Sequence, residues 1–180
     1  MIKTRKIAMV VTAATAGLVL SGAPASANVG AGAATAGAGT DTKPLIEMVT
    51  GKGFFYTASS TEAERAETVH RFKRTATPLG LVATSPFPGG TPLYRLRAAN
   101  VSSYLVTASE SEVASLTASG RFVKEGVVGY IGKTGATAKR LWRFHFDNQS
   151  KWRIAITAHK DSIVANEPGW SLDGPVGYLR

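Results

Sequence analysis

A short pattern returns three times at nearly constant spacing, and it constrains the fold of this chain more than any other feature. Pro44-Leu45-Ile46-Glu47-Met48 is echoed by Pro92-Leu93-Tyr94-Arg95-Leu96 and by Arg140-Leu141-Trp142-Arg143-Phe144, 48 residues further on each time. A second phrase, Tyr56-Thr57-Ala58-Ser59, recurs as Val106-Thr107-Ala108-Ser109 and Ile156-Thr157-Ala158-His159 at a spacing of 50. A unit of under about 50 residues cannot bury an apolar face alone, so three units must pool their strands around a shared interior. One closed, pseudo-threefold domain is expected over 43–180, with units at about 43–90, 91–138 and 139–180.

Within the first phrase, alternate residues take opposite faces of a strand. Ile46, Tyr94 and Trp142 share a face with Met48, Leu96 and Phe144, all apolar or aromatic, and this face is predicted to point into the common core. The other face carries Glu47, Arg95 and Arg143 beside three leucines. The second phrase is also strand-like, with Phe54/Tyr56, Tyr104/Val106 and Ile154/Ile156 on one face. Thr57, Thr107 and Thr157 lie on the other, as β-formers or hydroxyl partners of backbone.

Ser59-x-x-Glu62 and Ser109-x-x-Glu112 match the capping box, in which Ser accepts from the amide three residues on and Glu reaches back to the cap amide. Short helices are predicted over 61–72 and 110–119. In the third copy His159-x-x-Ser162 replaces the box, so that helix, around 160–166, is predicted to be the weakest. The units close on Gly126-Val127-Val128-Gly129-Tyr130 and Gly174-Pro175-Val176-Gly177-Tyr178, with Gly80-Leu81-Val82-Ala83-Thr84 as a degraded first copy. Glycines at such places mark bends or close backbone approach. The fold class expected is mainly β with short helices, three pseudo-symmetric repeats, β-trefoil-like. The pattern supplies three strands and a helix per unit where a trefoil unit has four strands, and a small three-unit propeller-like ring is the alternative.

Residues 1–27 read as a secretory signal peptide: Lys3, Arg5 and Lys6, an apolar run from Ile7 to Leu20, then Ala25-Ser26-Ala27 before the cut. The apolar run is shorter than the roughly 20 residues needed to span a bilayer, so no membrane insertion is expected. A secreted, extracellular protein follows, with 28–42 as a flexible Gly/Ala-rich linker. The chain has no cysteine, which excludes disulfides and thiolate metal sites and leaves apolar burial to hold the fold. The 21 Lys and Arg against 12 Asp and Glu give +9, and loss of the leader's three cations leaves +6. That excess either favours polyanions such as wall polymers or simply keeps the domain soluble.

The order P-L-Y-R-L, an Asn-rich turn, F-Y-T-T-S, a short helix and E-G-I-A-G-Y resembles a secreted bacterial repeat family of unknown function, whose members are often appended to exported hydrolases. The second unit follows it from Pro92 to Ser109 and closes with Glu125-Gly126-Val127-Val128-Gly129-Tyr130. The third matches from Leu141, with about two extra residues near Lys151-Trp152, and ends at Asp173-Gly174-Pro175-Val176-Gly177-Tyr178. The first is carried by Phe55-Tyr56-Thr57-Ala58-Ser59 and Glu62-Ala63-Glu64-Arg65. The family's Asp-His pair before F-Y-T-T is replaced by Gly53-Phe54, Ser103-Tyr104 and Arg153-Ile154. The resemblance implies a non-catalytic accessory module, here freestanding, that attaches to glycan or cell envelope.

Catalysis needs a base beside a nucleophile or a placed pair of acids. The three histidines, His70, His145 and His159, fall in no metal-ligand spacing, and there is no phosphate loop or dinucleotide fingerprint, so no catalytic residue, metal or cofactor is expected. The segment 139–153 is the main surface candidate, combining Lys139, Arg140, Arg143, Lys151 and Arg153 with His145, Asn148 and Trp152. Guanidinium groups fork onto carboxylate or phosphate, and an indole face suits stacking. Asn100 and Asn148 occupy corresponding turns, where they either contact ligand hydroxyls or make the turn. The candidate ligand-binding residues are therefore Arg95, Asn100, Arg143, His145, Asn148, Trp152 and Arg153. The function expected is a secreted, monomeric binding module for carbohydrate or an anionic envelope polymer, with no nucleic-acid partner. A protein-interaction module or inhibitor of an extracellular enzyme is the alternative.

Overall fold

The computed structural model describes residues 41–180. The expected leader, 1–27, and all but the end of the expected linker, 28–42, lie outside the described residues. Thr42 already belongs to the first strand.

Strand, strand, helix, strand follow one another three times. The first unit has β1 (Thr42–Pro44), β2 (Ile46–Val49), β3 (Phe54–Thr57), α1 (Ser60–His70), β4 (Lys73–Arg74) and β5 (Leu81–Ala83), its outer strands each broken in two. The second has β6 (Gly90–Ala98), β7 (Tyr104–Thr107), α2 (Glu110–Ala118) and β8 (Phe122–Gly132). The third has β9 (Arg140–Phe146), β10 (Trp152–Ile156), α3 (Thr157–Asn166) and β11 (Trp170–Tyr178). The fold is mainly β, an eight-stranded sheet curled into a half barrel plus the three-stranded sheet β3-β2-β4, with three short α-helices. In each unit the first strand pairs antiparallel with the second on one side and with the strand after the helix on the other.

The face expected to line one common core forms three separate ones. Ile46 and Met48 meet Ala63 and Ala66 of α1, Tyr94 and Leu96 meet Val113 of α2, and Phe144 meets Ile163 of α3. The shared core is built from the opposite face, where Leu45, Leu93 and Leu141, each 0% exposed, join Tyr56, Val106, Ile154, Val82, Ile131 and Leu179. The helices cause the reversal. A helix laid on three strands needs an apolar sheet face of its own, so each sheet must be apolar on both sides.

The hairpin register sets Tyr56 opposite Glu47, Val106 opposite Arg95 and Ile154, not Ile156, opposite Arg143. The third copy of the second phrase is thus offset by two from the expected alignment. From the second unit to the third the strands keep the 48-residue spacing, Leu93 to Leu141 and Val106 to Ile154, while Val113 and Ile163, buried in their helices, stand 50 apart. The two extra residues therefore fall after β10, where α3 starts early at Thr157, without a side-chain cap, instead of at Lys160.

The caps are also shared differently from the expected box. Ser59 and Ser109 accept from the amides of Glu62 and Glu112, each at 3.2 Å. The cap amides, however, donate to the hydroxyls of Thr57 (3.0 Å) and Thr107 (3.1 Å). The strand threonines take over the reciprocal half, which releases both glutamates to face the next unit.

Three sets of contacts join the units. Tyr104 packs on Phe72 with centroids 6.4 Å apart, Trp152 on Phe122 at 5.3 Å and Phe54 on Trp170 at 5.9 Å. Each time the aromatic at the start of a second strand meets the aromatic that follows another unit's helix. Added Cβ atoms on Gly129, Gly177 and Gly80 would lie 2.6, 2.5 and 2.7 Å from side-chain methyls of Val82, Ile131 and Leu179, so a side chain there would have to displace these core residues. The final strands also meet: Ala83 pairs with Tyr130 and Gly132 with Tyr178, while the Arg180 amide donates to the Leu81 carbonyl at 2.8 Å.

Candidate functional site

The ladders β6–β8 and β9–β11 each contain two register shifts, which leave Glu125 and Val128, and likewise Asp173 and Val176, out of the pairing. A bulge of this kind re-aims a side chain that the pleat would otherwise direct elsewhere. Val128 and Val176 turn onto the central core. Glu125 and Asp173 turn toward the first strand, where Arg95 Nε donates to Glu125 Oε2 at 2.8 Å and Arg143 Nε to Asp173 Oδ2 at 2.7 Å. Gly126 and Gly174 follow with φ of +141° and +138°, a conformation that L side chains rarely adopt.

Each arginine also reaches across a unit boundary. Arg95 forks onto Glu62 of α1 at 2.7 and 3.1 Å, and Arg143 onto Glu112 of α2 at 2.8 and 2.9 Å. Burial works to raise the Glu62 and Glu112 carboxyls. Hydrogen bonds from the arginines and from Thr57 and Thr107, with the guanidinium charge, outweigh it and hold both below their ordinary values. The bulged acids are gripped a second time, Glu125 by Arg97 Nε at 3.2 Å and Asp173 by His145 Nδ1 at 2.5 Å.

These groups wall two clefts of the same construction. One, about 350 Å³, lies between the first and second units and is lined by Lys43, Thr57, Ser59, Glu62, Arg95 and Glu125 with the bulge Gly126–Val128. The other, about 440 Å³, lies between the second and third and is lined by Thr91, Thr107, Ser109, Glu112, Lys133, Arg143 and Asp173 with Gly174–Val176. Both fall within the roughly 300–1,000 Å³ of small-ligand pockets. Each sets one arginine and one lysine against two carboxylates, so the lining is charge-balanced, and hydroxyls and bulge peptide groups add donors and acceptors.

The junction between the third and first units is different. Glu47 stands where the others have arginine, and Ser162 where α1 and α2 have glutamate. Glu47 is 5% exposed. The Tyr56 hydroxyl donates to Glu47 Oε2 at 3.0 Å and accepts from the Ile154 amide at 2.9 Å, which ties the first unit to the third. Burial raises the Glu47 carboxyl against the lowering influence of nearby Arg153, and burial lifts the Tyr56 phenol well above its ordinary value. Arg153 stacks over Phe54 at 5.1 Å and pairs with Glu167 at 3.0 Å.

The sequence candidates do not form one site. Arg95 and Arg143 line different clefts. His145 shares a strand face with Arg143 and props Asp173. Asn100 and Asn148 have φ of +64° and +58° in corresponding hairpin turns, the left-handed backbone that asparagine tolerates. Trp152 is engaged with Phe122 at the unit boundary. Arg153 lies on the opposite face of β10 from Trp152, so the basic segment 139–153 is divided between two sides of its sheet. The residues that complete the clefts, Glu62, Glu112, Glu125, Asp173, Lys43 and Lys133, were not among the candidates. Glu125-Gly126 and Asp173-Gly174, 48 apart, carried the signal: an acid before glycine inside a strand marks a bulge. Among the described residues, no group of three or more His, Cys, Asp or Glu is placed to hold a metal ion, and no helix is long and apolar enough to cross a membrane.

A family model described as a domain of unknown function, DUF5648, matches residues 47–180. No curated protein and no solved structure matches the chain.

Proposed function

The chain belongs to the DUF5648 family, whose function is unknown, and from that premise we propose that it is an exported, non-catalytic module that binds neutral carbohydrate in clefts between its units. The observation that carries this reading is the balanced lining: two cations, two carboxylates and the hydroxyls of Thr57 and Ser59 converge on one small-ligand cleft. A polyanion would meet two carboxylates there, whereas a sugar offers hydroxyls that both donate and accept. A glycoside hydrolase needs one carboxyl raised to act as acid. The cleft glutamate Glu62 is held low instead, bonded to a guanidinium. Export rests on the leader-like residues 1–27, and release without a lipid anchor on the lack of a cysteine to carry one.

The architecture that goes with this function is three units closed around a pseudo-threefold axis, akin to a trefoil in its closure but with a helix in each unit. The aromatic pairs, the glycine contacts and the strand-end pairings support it, because in each set the third unit returns to the first.

The test is retention of the purified chain from residue 28 onward on insoluble neutral polysaccharides against anionic wall polymers at low and high salt. Retention on a neutral polymer that survives high salt is expected, since screening weakens only charge-driven binding. Retention confined to anionic polymers and lost in salt overturns the reading. A single stoichiometric protein partner, unaffected by added sugar, overturns it in favour of protein interaction.

A further inference from the structure

We infer that the domain has two saccharide sites of the same chemistry, one at each arginine-bearing junction, and so grips a polysaccharide at two points. The inference rests on the carbohydrate reading above and extends it to stoichiometry and mode of attachment. A single cleft is a common accident of packing. Here the same parts recur in register: Thr57/Thr107, Ser59/Ser109, Glu62/Glu112, Arg95/Arg143 and Glu125/Asp173 occupy matching places. The bulge recurs with them, although a bulge interrupts the ladder and is unneeded for pairing. The lysine recurs in kind without recurring in sequence. Lys43 enters the first cleft ahead of β2, and Lys133 enters the second from beyond β8. Two unrelated positions thus restore the same charge balance. At the third junction Glu47 replaces the arginine and Ser162 the helix glutamate, so the wall of a third cleft is missing.

Two sites on one rigid body convert the second contact with a polymer into an intramolecular event, and avidity can exceed either site's affinity by about 10²–10⁴. Weak recognition of one or two sugar rings by an open polar cleft then suffices for firm attachment to a wall or fibre.

Val127 and Pro175 are exposed, hold matching positions and line the first and second cleft respectively. A tryptophan at either adds bulk to the bulge that walls its cleft, at a position exposed outside the core. Titration calorimetry with chitotetraose, cellotetraose and xylotetraose, followed by polymer retention on the matching polysaccharide, reads out both levels. Two sites per chain are expected for the oligosaccharide that binds, with one site in Val127→Trp, one in Pro175→Trp and none in the double variant. Polymer affinity is expected to fall at least tenfold when either cleft is blocked. Thermal melts and far-UV spectra like the parent's identify folded variants, and Lys43→Ala with Lys133→Ala provides a second pair should either tryptophan disturb folding. One site per chain, abolished by one variant and indifferent to the other, overturns the two-site inference and leaves the carbohydrate reading standing. No heat with any of the three probes and no retention on the polymers overturns that reading, and this inference with it.

Discussion

Two junctions of this domain are bridged by a guanidinium shared between carboxylates, whereas the third carries a buried glutamate at the same strand position. Arg95, Arg143 and Glu47 all lie opposite a central-core residue of the neighbouring strand. One backbone site therefore accepts opposite charges, and what changes is the partner: Glu62 and Glu112 for the arginines, the Tyr56 hydroxyl for the glutamate. The features common to all three junctions carry no charge: an aromatic pair, a glycine seated on an aliphatic side chain and a backbone pairing between final strands. None of these contacts needs the ion pairs, which are therefore free to serve as cleft walls.

If packing closes all three junctions alike, removing the aromatic plugs should produce the largest losses and should ignore the difference in charge. Phe122→Ala is expected to cost about 3–5 kcal/mol, and Trp170→Ala, whose ring is only half-buried, about 3 kcal/mol. Urea unfolding of the two variants checks this. A Trp170→Ala loss below about 1 kcal/mol would mean that the third junction is closed by other contacts.

The apolar repeat was legible in the sequence because a period of 48 survives in the first strand of every unit, where every residue is constrained by register. Two features of the fold were not legible. The face assignment of Ile46, Tyr94 and Trp142 turned on whether the sheet had a helix on it, and both faces of the strand carry leucines or aromatics that fit a core. The alignment of Ile156 with Val106 followed the Thr-Ala echo, whereas the hairpin pairing aligns Ile154 and sends Thr157 into a helix. The clefts are hidden in the sequence for a third reason. Their carboxylates come from a helix start and from bulges, and each had an adequate local role, Glu62 as a cap and Glu125 as part of a closing strand. Only the distance to Arg95 reveals their joint use.

The charged junctions predict a smaller, pH-dependent loss. Arg95→Ala and Arg143→Ala each strand two carboxylates, and the cost for a fully buried pair would be about 3–5 kcal/mol. Glu62 and Glu112 are 42% and 30% exposed, and water screens what remains, so about 2 kcal/mol is expected for each. The two arginines share no partner, so the double variant should lose about the sum. Because the folded domain depresses the Glu62 and Glu112 carboxyls, their contribution is complete above the ordinary carboxylate range and is lost as pH falls through the depressed values. Acidification should therefore narrow the gap between the parent and the double variant. A gap that stays constant from pH 7 to strong acid would show that the arginines act by packing alone.

Glu47 should have the smallest effect and the opposite sign. Its carboxyl is raised by burial, so the stability it contributes is complete below the ordinary carboxylate range and declines as pH rises through the raised value. Glu47→Gln keeps an acceptor for the Tyr56 hydroxyl and removes a buried charge, while Arg153 retains its pairing with Glu167. Unfolding in urea at neutral pH is expected to show a gain of about 1 kcal/mol or less, shrinking toward zero in mild acid. The same substitution leaves both clefts intact, since Glu47 lines neither. A loss of stability at neutral pH would instead mean that the Glu47 charge is held favourably by Arg153, and that the third junction is bridged by an ion pair after all, with its polarity reversed.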